Sequence, residues 1–242
     1  MKILITNDDG IYAEGMIPFV KWAQRLGDVT VIAPKVEQSG KSHGITLREP
    51  FEVKEVDLID GIKAYSVDST PADCVRFAVL GQKIKYDLVF SGINRGYNIG
   101  QDMLYSGTVS AATEAACLGL KAVAFSTDVP SYYQAAISQL DFIWDYFTRN
   151  KLMEKHNLYN VNIPPKANDI LITKQGGPYY SDEFPLHSED NDLYMAHGIC
   201  VYEDGDDISI DTHCTLRGYI SVSPLSFNKT DMNMYNSLQI CK

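Results

Sequence analysis

Short apolar runs closed by Gly, Asn, Asp or Pro alternate with stretches whose apolar residues recur every three or four positions. Residues 2–6 form such a run, bounded by Asn7-Asp8-Asp9-Gly10, and read as a strand buried on both faces. Met16, Phe19, Val20, Ala23 and Leu26 follow at helical spacing, with Gly27 placed as a terminating C′ glycine. Residues 29–33 predict a second strand stopped by Pro34, and 45–67 a two-stranded segment turning at Asp60-Gly61. Pro71 opens a helix running to residue 80, and residues 88–90 form a strand that feeds a Gly- and Asn-rich loop at 91–107. A helix at 109–118, a strand at 122–126, a long amphipathic helix at 133–149 and a strand at 159–163 complete the pattern.

Strands alternating with helices predict an α/β fold, a Rossmann-like mostly parallel sheet with helices on both faces. Past about residue 175 the helical periodicity is lost and Tyr-, Asp- and Gly-rich stretches take over, with one more strand at 218–225. This segment reads as an irregular β-rich C-terminal extension used in assembly. The expectation is one domain over 1–242, with its α/β core at about 1–175 and the extension at about 176–242.

Charge and composition narrow the function. Twenty-one basic against 31 acidic residues give a formal charge of −10, which argues against nucleic-acid or anionic-lipid partners. No apolar run approaches a membrane span, and the first strand reaches Asn7-Asp8-Asp9 before a signal-peptide core could form. Five cysteines (74, 117, 200, 214 and 241) are scattered without a CxxC and suit a reducing compartment. A cytoplasmic protein with no membrane partner is expected.

In open α/β sheets ligands bind beyond the carboxyl ends of the strands, which singles out a few loops. Adjacent carboxylates Asp8 and Asp9 repel each other unless a cation or proton intervenes, and all-oxygen donors suit Mg²⁺ or Mn²⁺ rather than zinc. An ordinary Asx turn is the plainer account of the same residues. Ser39-Gly40-Lys41-Ser42 imitates the end of a Walker loop. Lys35 stands where the first glycine belongs, however, and no helix follows, so that reading is rejected, while Ser39 still offers a hydroxyl to a metal. Asn94 and Asn98 lie among Gly92, Gly96 and Gly100 in a loop that is long for a connector. Ser106-Gly107-Thr108 opens a helix, where free N–H groups and the dipole favour an anion; a plain N-cap uses the same donors. The five histidines have no metal-binding spacing, although His43 near Ser39 is a candidate general acid. Together these residues suggest a carboxylate–Ser–Asn metal site facing a helix N-terminus, the apparatus of metal-assisted phosphate-ester hydrolysis.

The blocks then match a known pattern in order. Ile3-Leu4-Ile5-Thr6-Asn7-Asp8-Asp9-Gly10, Ala33-Pro34 with Ser39-Gly40, Thr70-Pro71-Ala72-Asp73, Ser91-Gly92-Ile93-Asn94 and Tyr105-Ser106-Gly107-Thr108-Val109 resemble the signatures of the SurE (survival protein E) family of nucleotidases. Asn160-Val161-Asn162-Ile163-Pro164 and Ser221-Val222-Ser223-Pro224-Leu225 resemble its later landmarks; Ser69 and Ser223 depart mildly from it. The resemblance implies a metal-dependent phosphomonoesterase acting on nucleoside 5′- and 3′-monophosphates, and in some members on short polyphosphate. It implies one divalent ion (Mg²⁺ or Mn²⁺) per subunit on Asp8, Asp9, Ser39 and Asn94, and a homodimer or homotetramer built through C-terminal segments. Asp8 and Asp9 are then the catalytic carboxylates, Asp8 as base or nucleophile, and Asn98, Ser106, Gly107 and Thr108 the phosphate-binding set. Two rival classes stay open: a non-catalytic nucleotide sensor, and another α/β enzyme acting on nucleotide-linked (nucleotide-sugar-type) substrates.

Overall fold

A computed structural model describes residues 1–128, 133–188 and 192–240; Cys241 lies outside the described residues. Its centre is a nine-stranded sheet. The strands are Lys2–Thr6 (β1), Asp28–Pro34 (β2), Val53–Glu55 (β3), Lys63–Val67 (β4), Leu88–Arg95 (β5), Lys121–Thr127 (β6), Leu158–Ile163 (β7), Ile170–Ile172 (β8) and Ile220–Pro224 (β13). They lie in the order β3-β4-β2-β1-β5-β6-β7-β13-β8. The six from β4 to β7 are mutually parallel; β3 and β13 run antiparallel to β4 and β7. The chain therefore builds outward from β1 to β2 and β4, then returns to the other side of β1 with β5, β6 and β7. The order reverses between β1 and β5, where the carboxyl ends of two neighbouring strands open a crevice.

Side-chain alternation along β1 explains why both faces are covered. Ile3 and Ile5 enter one cluster with Phe19, Trp22, Phe90 and Phe125, under helices Met16–Ala23 (α1) and Tyr133–Arg149 (α4). Leu4 enters the opposite cluster with Ile32, Val89 and Ala112, under Pro71–Arg76 (α2) and Gly107–Cys117 (α3). Each such buried aliphatic side chain contributes about 1.5–3 kcal/mol. The predicted helix at 133–149 is observed as Tyr133–Arg149, and the turn at Asp60-Gly61 joins the antiparallel pair β3 and β4.

Three expectations change. The predicted helix to Leu26 stops at Ala23, and Gly27 is not a left-handed cap. A Cβ there would lie 2.1 Å from the carbonyl oxygen of Met1, so the glycine makes room for the chain start. The expected loop at 91–107 begins later, because β5 continues through Arg95 with a register slip against β6 between Ser91 and Asn94. Pairing to β1 ends at Ser91, and β6 alone, opposite Asn94 and Arg95, keeps the rest of the Gly- and Asn-rich segment in the sheet. Gly92, at φ +135°, is needed at the slip, since a Cβ would come within 2.4 Å of Phe125 O.

The third concerns the boundary near residue 175, which the central sheet crosses. β13 is inserted between β7 and β8, so the core draws on the C-terminal segment as well as on 1–175. What projects is an antiparallel arm, Tyr180–Glu183 (β9) with His197–Cys200 (β12) and Leu186–Ser188 (β10) with Leu193–Tyr194 (β11). Helices Leu152–Lys155 (α5), Asp211–Leu216 (α6) and Met232–Ile240 (α7) lie in the C-terminal half, all three unpredicted. Among the described residues no helix is long and apolar enough to cross a membrane.

Candidate active site

Asp8 stands two residues past the end of β1 and Asn94 near the end of β5, so the switch point brings them together from 86 positions apart in the chain. The loop after β2 is drawn over them, with Gln38 N donating to Asp8 O at 2.7 Å. The result is a polar cleft of about 160 Å³ lined by Asp8, Ser39, Asn94, Asn98 and Ser106 among others. Asn7 folds the turn that presents the carboxylates, its side chain bonding both the N–H and the C=O of Gly10.

Asp8 is 3% exposed. Burial pushes its carboxyl up to about 6, against hydrogen bonds from the side chain and backbone of Thr108, with the Asp9 charge adding to the rise. Asp9 faces an adjoining hollow beside Glu37, Arg95 and Tyr133. Its Oδ2 accepts from Arg95 N at 2.9 Å and from the Tyr133 hydroxyl at 3.4 Å. Burial raises the Asp9 carboxyl also, opposed by the backbone and charge of Arg95. Arg95 in turn reaches Glu37, 3.4 Å away.

The residues expected at the phosphate divide into two groups. Ser106 caps α3, its Oγ accepting from Val109 N at 3.1 Å, which leaves its O–H proton to donate into the cleft. Asn98 lines the cleft as well and is rigidly framed. Its backbone N–H donates to Asn162 Oδ1, its side-chain amide to Ser126 Oγ, and its carbonyl accepts from Asn160 and Asn162. Gly107 and Thr108 sit behind Asp8 instead. Thr108 is fully buried and gives its hydroxyl to Asp8 Oδ1. The positive end of α3 thus grips an anion that the chain itself supplies. Gly107 permits that approach, because a Cβ would lie 2.8 Å from Asp8 Cβ and 2.9 Å from its Oδ2. Gly107→Ala is therefore expected to lower turnover at least ~10-fold although Ala is the better helix former by about 1 kcal/mol. Steady-state kinetics beside a thermal melt checks this; unaltered turnover would show the contact to be slack.

His43, the candidate general acid, does not line this cleft. Its Nε2 meets Glu114 Oε2 at 2.8 Å, Arg76 holds the other oxygen of Glu114 at 2.8 Å, and His43 borders a separate groove. The His43 contact, and Arg76 after it, keeps the Glu114 carboxyl below its ordinary value despite burial. This cluster clasps the Ser39 loop to α3. Arg95 and Tyr133 were not singled out from sequence; a lone cation inside the Gly- and Asn-rich segment was the available signal for the first.

The donor set fits a divalent cation. Asp8 and Asp9 are adjacent carboxylates, both raised by burial, and a dipositive ion would relieve that cost. Ser39 offers a hydroxyl. Asn94 spends its amide nitrogen on Gly96 O at 2.7 Å, which leaves the carboxamide oxygen as its remaining donor atom. Two carboxylates, a hydroxyl and an amide oxygen make the hard-oxygen set that Mg²⁺ or Mn²⁺ prefers. Among the described residues there is no group of three or more His, Cys, Asp or Glu that could hold a metal, so such a site depends on Ser39 and Asn94.

Comparison with known proteins agrees with this architecture. A family model described as survival protein SurE matches residues 3–182. The 5′-nucleotidase SurE of Natranaerobius thermophilus is 40% identical, covering 98% of this chain and 97% of its own length. The protein of the same name from Thermosipho africanus is 36% identical, covering 99% and 96%. The crystal structure of the SurE protein from Aquifex aeolicus superimposes with a TM-score of 0.81 at 29% identity, covering 100% of this chain and 99% of that one. With blocks, sheet order and near full-length similarity in agreement, the chain belongs to the survival protein SurE family.

Proposed function

We propose that this protein is a nucleotidase, a phosphoric monoester hydrolase that releases phosphate from nucleoside 5′- and 3′-monophosphates, with short polyphosphate as a further substrate. The observation that carries the reading is the convergence of Asp8, Ser39, Asn94, Asn98 and Ser106 on one small polar cleft at the strand switch point. The names of the curated relatives support the 5′ activity.

Asp8, Asp9, Ser39 and Asn94 would hold one Mg²⁺ or Mn²⁺, which supplies charge neutralisation at the phosphate and a more acidic water. The protein's own groups do the rest. Ser106 donates its hydroxyl proton to a phosphate oxygen. Turning the Asn98 amide over lets the Ser126 hydroxyl donate to its oxygen and frees two N–H groups for the same anion. Thr108 and the end of α3 fix the direction of Asp8, which serves as base or nucleophile. Arg95 and Tyr133 hold Asp9 from the other side.

The enzyme works in the cytoplasm as a homodimer or homotetramer. Exposed Phe184, Leu186, Leu193, Met195, Met234 and Leu238 on the arm and α7 support the assembly, since so much apolar surface favours a partner. The acidic balance of the chain, at −10, supports a reading without nucleic-acid or anionic-lipid partners.

A panel of nucleoside 5′- and 3′-monophosphates with Mg²⁺ or Mn²⁺ tests the function. Phosphate release is expected with metal and none with EDTA. Heat of AMP binding without phosphate release under either metal would turn the reading to a nucleotide sensor.

A further inference from the structure

The cleft at Asp8 is too small for a whole nucleotide. Its volume of about 160 Å³ falls well below the ~300–1,000 Å³ of pockets that enclose a small organic ligand. A phosphate fits, and the nucleoside attached to it must leave across the rim. The rim groups are mostly small or charged: Ser39 and Gly40 on one loop, Asp102, and Arg95 held by Glu37. Tyr105 is different. Among the described residues lining the cleft it is the one aromatic, and it is 63% exposed.

Its backbone is fixed on both sides. The N–H of Tyr105 donates to Asp102 O at 3.0 Å, and its C=O accepts from Ser42 N at 3.0 Å. The next residue, Ser106, caps α3 and faces the same cleft. A flat ring thus stands on a hydrogen-bonded turn, one residue from the hydroxyl proposed to donate a hydrogen bond to the phosphate. A water-exposed ring on a fixed backbone next to an anion cradle is a surface on which a nucleobase can stack while the phosphate is held below.

We infer that Tyr105 is the platform for the nucleobase, and that it separates nucleotides from other phosphate monoesters at this site. The inference rests on the nucleotidase reading and adds the residue that selects the substrate class. Stacking needs only a π face, so Tyr105 favours any base over none and reads no base edge.

The test compares AMP with ribose 5-phosphate, which presents the same 5′ ester without a base, in the Mg²⁺- or Mn²⁺-loaded enzyme. The wild type is expected to prefer AMP. In Tyr105→Ala the ratio of kcat/KM for AMP over ribose 5-phosphate is expected to fall about tenfold, mainly through KM, as the loss of one base–aromatic stack predicts. Tyr105→Trp and Tyr105→Phe are expected to keep the wild-type ratio, because each retains a ring. A wild type that hydrolyses both esters with a ratio unmoved by Tyr105→Ala overturns the assignment. An equal fall for both esters does the same, since it marks a structural role. A wild type that releases phosphate from neither ester overturns the nucleotidase reading itself, and this inference with it.

Discussion

Asp8→Asn is expected to lower metal-dependent phosphate release from AMP or p-nitrophenyl phosphate by about 10³-fold, within the ~10²–10⁴ range lost with a reacting acid or base. The amide keeps the size of the carboxylate and an oxygen that can accept from Thr108, so the end of α3 need not move. What disappears is the negative charge on the most buried of the proposed metal donors and the lone pair that would act as base or nucleophile. The first loss weakens the hold on the metal and the second falls on the chemical step, so turnover drops while the circular dichroism spectrum stays unchanged. Retained metal-dependent turnover in a folded Asp8→Asn protein would sink the assignment of Asp8.

The same substitution is expected to stabilise the metal-free protein. Folding raises the Asp8 carboxyl from 3.8 to about 6. Between these values the folded state binds more protons than the unfolded chain, so stability falls as the pH rises through this window. Above it the whole cost is present, about 3 kcal/mol at ~1.36 kcal/mol per pKa unit. With EDTA at pH 7.5, Asp8→Asn should therefore melt above the wild type by about 6–12 °C. At pH 4 the gap should nearly close, because Asp8 is then protonated in the fold and partly so in the unfolded chain. Other carboxyls, such as Glu114, shift the opposite way, and the comparison of the two proteins at each pH cancels them. Millimolar Mg²⁺ should raise the wild type and leave the variant where it was. A wild type at least as stable as Asp8→Asn at pH 7.5 without metal would mean that Asp8 carries no such burden. The acidic pair would then be folded around its own charge, and the argument for a cation from burial would fail.

Much of the fold was legible because local pattern and tertiary position agree along β1, β2, β6, β7 and α4. Their apolar residues fall at period two, in continuous runs, or at helical spacing, and each run ends at a residue that breaks it. The segment 91–95 misled because Gly and Asn favour turns in isolation, whereas β6, pairing with Asn94 and Arg95 beyond the end of β1, keeps it in the sheet here. Gly27 misled for a related reason: its need is space beside Met1, which no local rule reveals. His43 looked catalytic by its distance from Ser39 in the chain, yet Glu114, itself held by Arg76, claims it from another element.

By itself the sequence determined which residues are candidates for chemistry, since adjacent aspartates, a hydroxyl loop and a Ser-Gly-Thr helix start are local patterns with few uses. It also determined the α/β class, because hydrophobic period is written residue by residue. Tertiary structure alone decided what those residues do to one another. It set the strand order that places Asp8 beside Asn94, aimed the end of α3 at Asp8 rather than outward, brought Arg95 to Asp9, and threaded β13 back into the sheet. The physical reason is that such contacts join groups tens of positions apart, and their free energy depends on burial and direction, quantities that no short window of sequence contains.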